Sequence, residues 1–171
     1  ESLRKEGLAV HTIGGVHPHP LLSFVQNTVD TLRDEGIDFV LGVGGGSVID
    51  TAKATAMGLA RPDIPVWDYF TRKEQVTAAL PVGAVLTIAA AGSETSDSAV
   101  LTDEAPKVKR GVNTPFNRPR FAIMNPEQTY TLPPRQTACG VVDILMHALD
   151  RYFAPDADNA TTDAIAEAIL R

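Results

Sequence analysis

Residues 38–60 read DFVLGVGGGSVIDTAKATAMGLA. The run 38–43 reads as a strand, and Gly44-Gly45-Gly46-Ser47 turns it directly into a helix in which Ala52, Ala56 and Leu59 continue inward. Ser47 and Asp50 stand at capping-box spacing, so Asp50 reads as a helix cap and not as a catalytic acid. Three consecutive glycines remove every Cβ from the turn and let backbone come close to a ligand. The first helical turn offers unpaired N–H groups and the positive end of the macrodipole, which suit an anion such as the pyrophosphate of a dinucleotide. The turn departs from two familiar phosphate patterns. It lacks the lysine and spacing of a Walker A sequence, and Ser47 falls where the third glycine of GxGxxG would be. By itself it is either a phosphate cradle or a tight strand-to-helix turn.

Upstream, residues 8–13 read as a strand, and Pro20 opens a helix with Leu21, Val25, Val29 and Leu32 at helical spacing before Gly36 ends it. Residues 61–80, with Pro62, Pro65, Trp67, Tyr69 and Phe70, read as a packed surface connection without regular structure. Residues 81–88 read as a further strand, 98–102 and 107–112 as a hairpin around 103–106, and 121–124 as another strand. Strands alternating with helices need crossover connections, which are right-handed in nearly all folds. The expected class is therefore α/β with an open, doubly wound, mostly parallel sheet. In such sheets the ligand lies beyond the carboxyl ends of the strands. The segment 87–94, TIAAAGSE, is a second small-residue turn there, with hydroxyls at Thr87 and Ser93.

The last part is helical. A proline-marked approach at 131–135 leads to helical patterns at 137–153 and 160–171, separated by Pro155. A boundary near 125–134 divides the chain into an α/β domain, 1–130, and the first helices of a second, all-helical domain, 131–171. Residues 1–7 resemble the tail of a helix and Arg171 stops the last one without a cap, so the sequence is expected to continue on both sides.

The composition excludes several classes of function. With 44% hydrophobic and 21% charged residues, the 171-residue chain has the make-up of an ordinary soluble domain. Its net charge of −6 argues against nucleic acid, the basic cluster Lys107, Lys109 and Arg110 being a local exception. No apolar run approaches the ~20 residues that span a bilayer, and residues 1–7 are charged where a secretory signal would be apolar. These features argue against a membrane partner and for the cytoplasm. The single cysteine, Cys139, allows no internal disulfide and reads as a buried, inert thiol.

In GVVDILMHALDRYF, residues 140–153, Asp143 and His147 are four apart and share a helical face, with Asp150 three beyond. Apolar side chains at 141, 142, 144–146, 148 and 149 cover most of the remaining circumference. The pair is either a surface Asp–His contact or two ligands of a divalent metal. Mixed carboxylate and imidazole donors suit Fe(II) or Zn(II) better than Ca or Mg. Two ligands are too few for a tight site. His17 and His19 belong to the loop HPHP, which reads as a rigid turn in preference to a metal site.

Together the segments GGVHPHP, GGGSVIDTAKA, LTIAAAGSETS, FAIMNPEQTYTLPPRQ and GVVDILMHALDRY resemble the iron-containing alcohol dehydrogenase family, most closely its butanol dehydrogenase-like, broad-specificity aldehyde reductase branch. The resemblance spans nearly the whole chain. It implies a dehydroquinate synthase-like nucleotide-binding domain, a helical domain and a metal-holding cleft between them. Carried over by position, Gly45, Gly46, Ser47, Thr87, Ser93 and Lys109 match cofactor contacts, and Thr131 and Leu132 approach the cofactor from the domain junction. Asp143 and His147 match the first two of four metal ligands, the others being histidines further along. Ala89, Ala91 and Asn125 depart from the family pattern; Ala91 removes a hydroxyl from one cofactor contact.

The implied activity is reversible, NAD(P)-dependent interconversion of a small alcohol and its aldehyde or ketone. The metal would be Fe(II), with Zn(II) as the alternative, and the branch leans to NADP. A homo-oligomer, a dimer first, is expected. The alternatives are a polyol dehydrogenase or cyclising lyase of the same superfamily, or a non-catalytic nucleotide-binding fragment. The whole reading requires Asp143 and His147 to face the triple-glycine turn.

Overall fold

Residues 2–155 and 159–171 are described in this computed structural model. The first half runs α1 (Ser2–Lys5), α2 (Leu22–Leu32), β1 (Val40–Gly44), α3 (Gly46–Ala60), α4 (Val66–Phe70) and β2 (Val82–Leu86). The second runs β3 (Ser98–Asp103), β4 (Val108–Asn113), β5 (Ala122–Ile123), α5 (Pro134–Tyr152) and α6 (Ala160–Ile169).

β1, β2 and β5 form a parallel sheet in that order, with Val40 opposite Val82, Gly44 opposite Leu86 and Ala84 opposite Ala122. Alternation along β2 turns Val82, Ala84 and Leu86 toward α3, where they meet Ile49, Ala52 and Ala56. Gly42 lets the helix settle close, since a Cβ there would lie 3.2 Å from that of Ala52. The other side of α3 buries Ala54 and Met57 against Val25 and Val29 of α2, Val66, Tyr69 and Phe70 of α4, and Ala99 and Leu101 of β3. Residues 49–58 of α3 are buried throughout, which is why they are mostly small and only weakly amphipathic. On the opposite sheet face Phe39 stacks on Phe121 at 5.8 Å, and Val43 and Ile123 are exposed.

β3 and β4 form the expected antiparallel hairpin, Ser98 opposite Asn113 and Asp103 opposite Val108. α5 and α6 pack together, with Tyr152 Oη donating to Glu167 Oε1 at 3.5 Å. No helix among the described residues is long and apolar enough to cross a membrane.

Several expectations are corrected. Residues 8–13 form no strand: Leu8 and Ile13 are exposed, and alternation makes a strand only where a neighbour supplies the ladder. The connection 61–80 contains regular structure, the short helix α4, whose Val66, Tyr69 and Phe70 enter the core. The capping box is absent: Gly45 is the N-cap, so Ser47 lies inside the first turn and Asp50 is beyond capping reach. Cys139 is exposed, on a helix whose neighbouring Val141, Val142 and Met146 are exposed too.

Candidate active site at two adjoining turns

β1 and β2 are adjacent and parallel, so the turns that follow them leave the sheet side by side. The N–H of Thr87 donates to Gly44 O at 3.1 Å, tying the start of the second turn to the first. Beyond that bond the chains close further. A Cβ on Gly45 would stand 2.6 Å from Ile88 Cγ2, and one on Gly46 would stand 3.5 Å from Ser93 Oγ. The structure thus brings Gly45, Gly46, Ser47, Thr87 and Ser93 to one end of the sheet, around the N-terminus of α3. Ser47 Oγ accepts the main-chain N–H of His19 at 3.3 Å, which draws the HPHP loop to the same place; His19 has φ +65 there.

Asp50 is buried beneath these turns and accepts from Ser93 Oγ at 3.0 Å and Val100 N at 3.1 Å. Burial pushes its pKa up, opposed by the Val100 bond, by the charge of Lys53, by the Ser93 hydroxyl and by the charge of Lys109. Lys109 itself is exposed on β4 opposite Thr102. Lys53 is fully buried, and its Nζ donates to Ser93 O, Ser96 O and Ser98 O at 2.8, 2.9 and 2.7 Å. Lys53 is not among the residues that the sequence motifs single out. The available signal was a lone lysine inside the otherwise small and apolar stretch TAKATAMG.

α5 meets the second turn through Gly140, where a Cβ would come within 2.4 Å of Ala89 O. Asp143 and His147, three and seven residues on, share that face of the helix. Asp143 Oδ1 and His147 Nε2 are 3.9 Å apart, and the two side chains are 45% and 63% exposed. Metal–oxygen and metal–nitrogen distances of ~2.0–2.2 Å let donors this close share one ion. The oxygen and nitrogen donor set also fits iron or zinc. No three His, Cys, Asp or Glu side chains come together as a metal cage among the described residues. Leu132 N–H donates to Thr129 O at 3.1 Å, so Thr131 and Leu132 belong to the tight turn that enters α5. Asn125, the departure from the family pattern, caps the preceding 3-10 turn by accepting from Glu127 N at 3.1 Å.

The family profile described as "Iron-containing alcohol dehydrogenase" matches residues 1–126. The chain belongs to the iron-containing alcohol dehydrogenase family. A protein of Bacillus subtilis named "Probable NADH-dependent butanol dehydrogenase 1" is 42% identical over 171 residues, all of this chain and 44% of that protein. The Escherichia coli "NADPH-dependent aldehyde reductase YqhD" is 37% identical, over 96% of this chain and 43% of that one. The crystal structure of NADH-dependent butanol dehydrogenase A from Thermotoga maritima superposes with a TM-score of 0.92 at 42% identity, covering 98% of this chain and 42% of its own. This member of the family thus spans less than half the length of the relatives it matches. Its parallel sheet and flanking helices are those of the family's nucleotide-binding region.

Proposed function

We propose that the protein carrying this sequence is a metal-dependent alcohol dehydrogenase or aldehyde reductase that uses a nicotinamide dinucleotide. The observation that carries the reading is the adjoining of the glycine turn and the 87–93 turn beyond two parallel strands, with α5 brought against them at Gly140. Gly45 and Gly46 would admit the pyrophosphate to the N-terminus of α3, with Ser47, Thr87 and Ser93 as hydroxyl partners and Lys109 as a cation for phosphate or ribose. Thr131 and Leu132 would close on the cofactor from the start of the helical domain, residues 131–171, against the dinucleotide domain, 1–130. Asp143 and His147 would be two of the metal ligands and would orient the substrate side of the cleft, leaving proton transfer to other groups. When bound, the metal would supply Lewis-acid polarisation of the substrate oxygen and the dinucleotide the hydride.

Fe(II) is the metal we assign, on the family's name. The branch leans to NADP, but the name of the relative at 42% identity and that of the superposing crystal structure specify NADH, and we assign NADH on those names. The substrate would be a small alcohol or aldehyde, butanol and butanal being the first to try. The reading includes the cytoplasm, where an exposed thiol such as Cys139 stays reduced. It also includes a homodimer, supported by exposed apolar side chains such as Val141 and Met146. A monomer by light scattering at high concentration would count against the dimer.

The test is oxidation of NADH and of NADPH with butanal and added Fe(II). Turnover is expected, faster with NADH, and Asp143→Ala and His147→Ala should each lower it by about 10²-fold with loss of bound metal. Full activity in either variant would remove the metal reading. Dinucleotide binding without any turnover would favour a nucleotide-binding protein with no catalytic role.

A further inference from the structure

Lys53 takes no part in the chemistry assigned above, yet it is among the largest fully buried side chains of the fold. Its three carbonyl acceptors lie at 2.7–2.9 Å, and only a protonated amine has three N–H donors to satisfy them. Burial pulls the pKa of Lys53 down; Asp50, Asp97 and Glu94 oppose that pull and Arg118 adds to it. A cation kept in such a place must be compensated by its contacts, and here each direct contact falls on one segment, 93–98.

One of those acceptors is the carbonyl of Ser93, whose hydroxyl donates to Asp50 three residues earlier on α3. Two polar side chains of one helix, Asp50 and Lys53, therefore hold both the side chain and the main chain of Ser93. Gly46, at the head of that helix, faces Ser93 Oγ with no more than van der Waals room for a methyl group. The separation of Gly46 from Ser93 is thus set through α3, a rigid element, and not through the flexible turn. We propose that Lys53 is a positioning residue for the dinucleotide site. By anchoring 93–98 to α3 it sets the width of the gap between the two turns without touching the cofactor. The inference rests on the dinucleotide reading given above.

Two measurements on the protein carrying this sequence test it: dinucleotide Kd by NADH and NADPH fluorescence titration, and amide hydrogen exchange at 93–98. In the wild type, 93–98 should be protected before any cofactor is added; free exchange there would overturn the clamp whatever any variant does. Lys53→Met should raise Kd about tenfold or more, with faster exchange concentrated in 93–98 and KM for the dinucleotide rising more than kcat falls. If that variant does not fold, Asp50→Asn/Lys53→Met, which leaves neither buried charge alone, should show the same pattern. Unchanged Kd in a folded variant would overturn the proposal, and so would exchange rising equally through α3 and the sheet. A wild type that binds neither NADH nor NADPH while 93–98 stays protected would instead defeat the dinucleotide reading, and this inference with it.

Discussion

A methyl group on Gly46 would stand at ordinary contact distance from Ser93 Oγ, so Gly46→Ala disturbs no packing and instead fills the gap between the turns. Its stability should stay within about 0.5 kcal/mol of wild type while dinucleotide Kd rises about tenfold, read by urea unfolding and fluorescence titration. Equal affinity would mean that no phosphate passes over Gly46. Ser93→Ala acts differently, because it strips a hydroxyl donor from the buried carboxylate of Asp50. Unfolding in urea should reveal a loss of about 1–3 kcal/mol in addition to weaker binding. Asp50 marks the limit of local reading. Its spacing from Ser47 suggests a cap, but its partners Ser93 and Val100 are 43 and 50 residues away. A side chain selects among hydrogen-bond partners only after the fold has brought them near.

At the level of elements, α2 starts with Leu21 as N-cap, a residue with no side-chain acceptor. The acceptor arrives from the β3–β4 turn: Glu104 takes hydrogen bonds from Ser23 N at 3.3 Å and from Ser23 Oγ. The Ser23 hydroxyl holds the Glu104 carboxyl below its ordinary 4.5. A depressed folded value makes this contribution complete above pH 4.5 and lost as pH falls through the folded pKa. Glu104→Gln should therefore reduce stability by about 0.5 kcal/mol at neutral pH and lose that difference in acid, measured by thermal melts across pH. Gly58 lies in the buried stretch of α3. A Cβ there would meet Val29 Cγ2 at 2.6 Å and Val66 Cγ2 at 2.7 Å, where α2, α3 and α4 converge. Gly58→Ala should destabilise by about 1–3 kcal/mol despite the better helix propensity of alanine. A gain in Tm would show that the valines yield without strain.

For the whole molecule, the consequential contact is that of Gly140 with Ala89 O, which brings the helix carrying Asp143 and His147 against the turn after β2. Gly140→Ala would force the helix off a main-chain oxygen at 2.4 Å, which cannot rotate aside as a side-chain end can. Turnover should fall by about 10²-fold with far-UV circular dichroism unchanged, and dinucleotide affinity should change far less. Unaltered turnover would mean that this contact does not hold the cleft. The alternation of strands and helices from α2 onward, α4 excepted, the β3–β4 hairpin and the glycine turn were legible in the chain itself, because periodicity and turn chemistry are local properties. Residues 8–13 looked like a strand and are none, since a ladder needs a neighbour. The burial of Lys53, the inward turn of Asp50 and the exposure of Cys139 were likewise beyond local reading. The first two depend on which surfaces meet across 40 or more residues of intervening chain, and that is decided by tertiary packing alone.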